Sequence, residues 1–306
     1  MTNDPVNGGE FDPVLVIGAT GTVGEPLVQL LLDSGVPIRV ATRSAQSARE
    51  TFGDEPSYVD FDLDRPETWG ETLAGIDRMF LLLPPGNGVS SVREFTDAAE
   101  RRGVEHVVFL SLLGAEKIPI LPHRRIEKHL AQTGMTYTFL RASWFMQNLS
   151  EIHRPEIVER DEIFVPAGDG VLSLVDARDV AAVAATVLTE SGHGGRAYDL
   201  TGPAPLEFTE VAEAFSDVLD RPIRYENPSR LAFGRHMYQR GHSLGFVLFM
   251  IAEYSVVRLG VSGRTTDDVE TIVGRSPRSV RDFVEDYADV FRQGTAPGSA
   301  HESRGD

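Results

Sequence analysis

Along the first half of the chain, short unbroken apolar runs alternate with stretches in which apolar residues recur every three or four positions. Val14-Leu-Val-Ile17 is the first run, and after a glycine-rich turn Glu25-Pro-Leu-Val-Gln-Leu-Leu-Leu has helical spacing. Pro37 to Thr42 reads as a second strand and Ser57 to Asp62 as a short third. Met79 to Leu83 is a fourth, apolar throughout as a strand covered on both faces should be. A helix over 90–102, a fifth strand His106 to Ser111, a helix over 124–132 and a sixth strand from Thr136 to Leu140 follow. Strands alternating with helices of this length predict βαβ units in a doubly wound parallel sheet, an α/β Rossmann domain over 12–152.

Beyond that point the rhythm loosens. Asp176 to Glu190 and Glu210 to Leu219 read as helices, and Arg196 to Gly202 as a late strand. Ser276-Pro277 fits an N-cap with proline at the first helical position, opening a last amphipathic helix to Phe291. No repeat and no clean linker separates these segments. The expectation is a smaller, mostly helical C-terminal lobe over 153–292, packed on the sheet and supplying a substrate pocket. The polar ends, 1–11 and 293–306, are expected to be disordered tails. Leu244 to Val257 is the longest apolar stretch, too short for a membrane span and interrupted by Glu253. It is expected to be a buried helix or a pocket wall.

Composition narrows the chemistry. The chain of 306 residues has no cysteine, which excludes disulfides, thiolate metal sites and cysteine nucleophiles. Its net charge of −17 argues against nucleic acid or an anionic membrane as partner. Only Lys117 and Lys128 are lysine among 29 basic residues, which fits either a salt-adapted host or a GC-rich genome. The N-terminus has neither an apolar signal core nor a basic presequence, so a cytoplasmic location is expected.

The chemistry starts at the first turn, Gly18-Ala-Thr20-Gly21-Thr22-Val23-Gly24. Three glycines at this spacing arise by chance in about one chain in four of this composition, so they are weak evidence alone. Between a buried strand and a helix they become specific. The tight turn brings backbone close to a dinucleotide pyrophosphate, and the helix N-terminus presents free N–H groups and a positive dipole end. The second strand ends Val40-Ala-Thr-Arg43-Ser44, with no acid before Glu50. An NAD site would place a carboxylate there for the ribose 2′-hydroxyl, whereas an arginine suits a 2′-phosphate, so NADP(H) is expected over NAD(H). Asp62 either accepts from the adenine amino group or caps its own loop. Leu83-Pro84-Pro85-Gly86 closes the fourth strand, where the middle of the cofactor should lie.

Several further motifs complete a pattern: Leu110-Ser-Leu-Leu-Gly-Ala115, His123-x-x-x-Glu127, Tyr137 to Asn148, Asp176-Ala-Arg-Asp-Val-Ala181, Leu200-Thr-Gly-Pro203 and Gly274-Arg-Ser-Pro-Arg278. With the glycine turn and Arg43 they resemble the NmrA-like family of atypical short-chain dehydrogenases/reductases, especially its azoreductase/quinone-oxidoreductase-like branch, over about 13–292. The resemblance implies an extended Rossmann fold with NADP(H) along the carboxyl ends of the strands. Carried over by position, Gly18, Thr20, Gly21, Thr22, Val23 and Gly24 hold the pyrophosphate, Arg43 the 2′-phosphate and Asp62 the adenine. Leu82, Leu83 and Pro84, with the loop Phe145-Met146-Gln147-Asn148, flank the nicotinamide half. The family often has proline where Ala142 stands.

One departure is catalytic. The superfamily's proton donor is a tyrosine with a lysine four residues on. Counting back from Glu127 puts His123 in the lysine's place and Pro119 in the tyrosine's. Proline donates no proton, which argues against ordinary alcohol/ketone chemistry. His123 is left as the candidate catalytic and ribose-binding residue, against a purely local hydrogen bond. Tyr137 is expected in the core, and Ser111 is expected to be structural. Two functions fit. One is NADPH-dependent reduction of quinone-like or azo-like molecules in a pocket built by Trp144, Phe145, Met146 and Phe246 to Phe249. The other is a non-catalytic NADP(H) sensor with a protein partner. Neither needs a metal, and a homodimer fits both.

Overall fold

The computed structural model describes residues 12–292 apart from Pro85 and Val261, so both expected tails lie outside the described residues. The chain is shared between two compact units rather than cut once near residue 152. One takes the chain up to Phe145, then Val175–Pro203 and Thr265–Arg278; the other takes Met146–Leu174, Ala204–Arg264 and the chain from Ser279.

The first unit is built on β1 (Val14–Ile17), β2 (Ile38–Thr42), β3 (Ser57–Asp60), β4 (Arg78–Leu81), β5 (His106–Leu112) and β6 (Thr136–Ala142), with Arg196–Leu200 as a seventh strand. Their order is seventh strand, β6, β5, β4, β1, β2, β3, and every pairing is parallel. This is the extended Rossmann sheet. Alternate residues of β1 serve opposite cores. Val14 and Val16 join the cluster of helix α1 (Gly24–Asp33) and the helix Ala177–Thr189. Leu15 and Ile17 join that of the helices Val89–Arg101 and Pro122–Leu130. Because the chain leaves β1 toward β2 on one side and reaches β4 on the other, a crevice opens at the carboxyl ends of β1 and β4.

The last segment of this unit is tied down by a buried charge. Asp179, fully buried on the helix Ala177–Thr189, accepts from the Arg278 backbone N–H at 2.6 Å, from Arg275 at 2.7 Å and from the Arg278 guanidinium. With 275–278 committed there, no helix starts at Ser276. Ser279 and Asp282 form a reciprocal capping box that opens the helix Val280–Asp286, and Ala288–Arg292 is a separate helix.

The second unit is mostly helical. Phe208, Phe215, Phe233, Tyr254, Phe283 and Phe291 are fully buried and fill its interior. Glu162–Phe164 and Arg224–Glu226 pair as a parallel two-stranded ribbon. The fully buried His153 ring shares a 2.6 Å hydrogen bond with the Tyr254 hydroxyl. Glu156, almost wholly buried, meets His236 Nε2 at 2.6 Å and Arg240 at 2.9 Å through both oxygens.

The helix Leu244–Arg258 corrects the expectation of a buried helix. One face, Val247, Met250, Tyr254 and Val257, is buried, but Leu244, Leu248, Phe249 and Val256 are exposed. Apolar residues surround this helix, so periodicity could not tell its inner face from its outer.

Candidate cofactor and active site

The glycine turn is shaped by backbone crowding. Gly18 has φ +73°, the left-handed region that glycine adopts without strain. Gly21 N–H donates to the Gly18 carbonyl at 3.0 Å, and Glu25 N–H to that of Gly21 at 2.9 Å, which closes the turn onto the first turn of α1. A Cβ on Gly24 would lie 2.0 Å from the Gly18 carbonyl oxygen and 2.8 Å from Ala19 Cα, both backbone, so no other residue fits. Thr20 and Gly21 stand exposed at the tip, with Thr22 half-buried beside them. The Val23 side chain faces the core cluster, so this residue offers only its backbone to a ligand. The positive end of the α1 dipole faces this turn and favours an anion there.

The other strand ends converge on the same edge. Leu82 reaches the turn directly, with its Cδ2 2.7 Å from where a Cβ on Gly18 would stand. Leu83 and Pro84 continue beside it, half-buried, while Pro85 lies outside the described residues. Arg43 follows the last residue of β2; it is exposed and makes no hydrogen bond or ion pair among the described residues. Its neighbour Ser44 caps the helix Ala45–Phe52 by accepting from Ser47 N–H. A free guanidinium thus stands next to a second helix N-terminus, and both favour an anion.

Asp62 takes the loop-capping role with one oxygen, Oδ1, which accepts from Asp64 N–H at 2.9 Å. Asp64 in turn accepts from Asn87 at 2.9 Å and Ser91 at 2.8 Å, tying the loop after β3 to the one after β4. Sequence reasoning missed this clamp, because an Asp and an Asn in two loops and a Ser in the first turn of a helix carry no spacing signal.

His123 is the second residue of the helix Pro122–Leu130, whose first residue is a proline. Its ring is tilted against Phe109 at 6.1 Å, and Nδ1 is buried without a hydrogen-bond partner among the described residues. Burial pushes its pKa below the ordinary 6.5, although the Glu127 carboxylate pulls the other way, so the imidazole is neutral at pH 7. Pro119 is exposed in the preceding loop and carries no proton to give.

One helical turn on, Glu127 is fully buried. Its Oε1 accepts from the Ser111 hydroxyl at 2.8 Å and from Arg141 Nε at 2.9 Å; its Oε2 accepts from Arg141 at 3.0 Å and Arg124 at 2.8 Å. Ser111 and Arg141 are register partners on β5 and β6, which places both over the helix. Burial raises the Glu127 pKa, but the bonds from Arg141, Ser111 and Arg124 outweigh it and hold the carboxyl below the usual carboxylate range. Ser111 therefore has a structural partner. Tyr137 stacks on Phe139 at 4.5 Å, as a core ring would. A cavity of 610 Å³ lies beside this network, lined by Arg124, Glu127, Lys128, Tyr137 and Arg141 among others, and none of the predicted cofactor residues lines it.

The predicted loop at 145–148 is not a loop. Phe145 ends a two-residue strand and packs on the core of α1, while Gln147 and Asn148 open the helix Gln147–Glu151. Met146 and Gln147 are buried, and Asn148 is half-buried. Phe246 is half-buried and Phe249 exposed. Among the described residues no three metal-ligating side chains converge, and no helix is long and apolar enough to cross a membrane.

The chain is similar to known proteins. Residues 11–256 match the profile of the NmrA-like family. The chain is 32% identical over 283 residues to an NAD(P)H azoreductase of Xenophilus azovorans, covering 91% of this chain and 99% of that one. It is 28% identical over 268 residues to quinone oxidoreductase 2 of Escherichia coli, covering 85% and 92%. In structure it superposes with a TM-score of 0.80 on the triphenylmethane reductase of Citrobacter sp. complexed with NADP(H), at 25% identity over 90% of this chain and 99% of that one.

Proposed function

Because the chain belongs to the NmrA-like family, we propose that it is an NADPH-dependent reductase of quinone-like or azo-like small molecules, working without a tyrosine–lysine pair. One observation carries the cofactor. A turn with no room for a Cβ at Gly24 opens α1 at the same sheet edge where Arg43 stands uncommitted. The azoreductase and quinone oxidoreductase relatives support the class of acceptor.

In this reading the backbone of Gly18 to Gly24 takes the pyrophosphate, and Arg43 takes the 2′-phosphate. Asp62, with the oxygen not used on Asp64, takes the adenine amino group. Leu82 packs against the turn and shields the middle of the cofactor from water. Bound NADPH supplies the hydride and its two electrons. A neutral His123 at the helix entry offers its unpartnered Nδ1 to the nicotinamide ribose rather than acting as an acid at pH 7, since burial favours the deprotonated ring. No strong side-chain acid is then needed: hydride transfer to a quinone leaves a weakly basic phenolate that takes its proton from solvent, and an azo group takes a solvent proton on the second nitrogen as the hydride reaches the first. The test is NADPH consumption by the purified protein against a panel of quinones and azo dyes. Oxidation above the cofactor-only rate is expected with at least one acceptor. No acceleration with any acceptor, together with a protein partner retained only in the presence of NADP(H), would replace this reading with a sensor.

A further inference from the structure

The whole-chain charge of −17 hides a segment of opposite sign. Between Ser229 and Arg264 stand Arg230, Arg235, Arg240, Arg258 and Arg264 against the single acid Glu253. This segment forms the helices Arg230–Gln239 and Leu244–Arg258, which pack as a hairpin. Seven of the eleven large apolar residues exposed on the described chain belong to it or to the residue just after it: Leu231, Tyr238, Leu244, Leu248, Phe249, Val256 and Leu259. On the second helix the exposed arc runs through Leu244, Gly245, Leu248, Phe249, Ala252 and Val256 and carries no polar side chain. Leu248 is 57% exposed and Leu259 76%. A helix apolar all round is normally buried, and here one face meets water over about 20 Å of length.

We propose that this hairpin docks on an anionic lipid bilayer surface. Charge decides between occupants. Five arginines against one acid make this segment net positive, so two copies of it repel each other whereas anionic headgroups attract it. Arg230, Arg235 and Arg258 are exposed and make no ion pair or hydrogen bond among the described residues, so all three are available to phosphate headgroups. An apolar arc flanked by arginines is the composition of a helix lying in the membrane interface. The acidic remainder of the chain repels such a surface only within a Debye length, about 8 Å at physiological salt, and the hairpin stands in closest contact. The whole-chain sum that argued against an anionic membrane therefore does not describe this face.

Co-sedimentation with vesicles tests it, using equal parts phosphatidylglycerol and phosphatidylcholine against phosphatidylcholine alone. The full chain is expected to pellet with the anionic vesicles and to be released by added salt. Leu248→Glu, at an exposed position that leaves the core untouched, is expected to lower the bound fraction by about tenfold or more. Arg235→Gln is expected to lower it about fivefold, with an unchanged circular dichroism spectrum. Sedimentation velocity on the same samples without vesicles gives the competing outcome. No vesicle binding by the full chain, equal binding by Leu248→Glu, or a dimer in solution that Leu248→Glu abolishes would each overturn the proposal.

Discussion

The two units dispose of apolar surface in opposite ways. In the sheet unit, each strand of the centre feeds two cores at once, and helices on both faces close over them. In the helical unit, the helix Leu244–Arg258 buries one face and exposes an equally apolar one. The first unit is complete as a folded object, with its crevice at the carboxyl edge fixed by topology. The second leaves a continuous apolar helix face open to water. Both bury charge, and in both the charge is paired: Glu127 with two arginines and a serine in the first, Glu156 with His236 and Arg240 in the second.

The largest expected effect strikes the sheet unit. Glu127→Ala leaves Arg141 without its bidentate partner and Ser111 without an acceptor, and is expected to destabilise the protein by about 3–5 kcal/mol in urea denaturation. A loss under about 1 kcal/mol would mean that water reaches the network and that this unit is not closed as described. Glu156→Ala, the matched change in the helical unit, should fall in the same range if the two units manage buried charge alike.

Gly24→Ala comes next. Its methyl group meets the Gly18 carbonyl carbon and oxygen, which are backbone and cannot rotate away. About 1–3 kcal/mol of stability is expected to be lost, with NADPH binding reduced by more than about a hundredfold, as followed by cofactor fluorescence. Unimpaired binding would show that the turn does not hold the pyrophosphate.

At neutral pH the smallest effect is that of the buried histidines, which separate the units only when acid is added. Burial pushes His153 down to about 3 and His106 to about 4, from an ordinary 6.5. Between those values the unfolded chain binds a proton that the folded chain refuses, so stability falls as pH drops from about 6.5 toward 4 and then 3. Each group adds up to about 1.4 kcal/mol per pH unit to that slope. His153→Gln is expected to remove one proton's worth of acid dependence from urea midpoints taken at several pH values, with the full loss of slope between about pH 6 and 4 and a fading one as pH approaches 3. An unchanged slope would place the burden elsewhere.

Much of the sheet unit was legible in the sequence because its signals are local. A four-residue apolar run means a strand with both faces covered, and glycines after it mean a tight turn. Arg43 declares itself by standing where a carboxylate would otherwise be. The Glu127 network was not legible, because Ser111 and Arg141 meet only through the register of two strands whose paired residues are 30 apart in the sequence. In the helical unit the ribbon strands are three residues long with charged ends, too short for an alternation to register. The Leu244 helix was found, but its outward face was not, since every face reads as inner. Ser276-Pro277 misled for a related reason: a good helix start was already spent on Asp179.

We propose that the edge formed by Gly18 to Gly24 and Arg43 is an NADP(H) site. Titration of NADPH and NADH against the protein and its Arg43→Ala variant tests it most directly. The prediction is that the variant loses about ten- to a hundredfold in NADPH affinity, as expected for a charge-assisted hydrogen bond, while NADH binding stays the same. Equal weakening of both cofactors, or of neither, would contradict it.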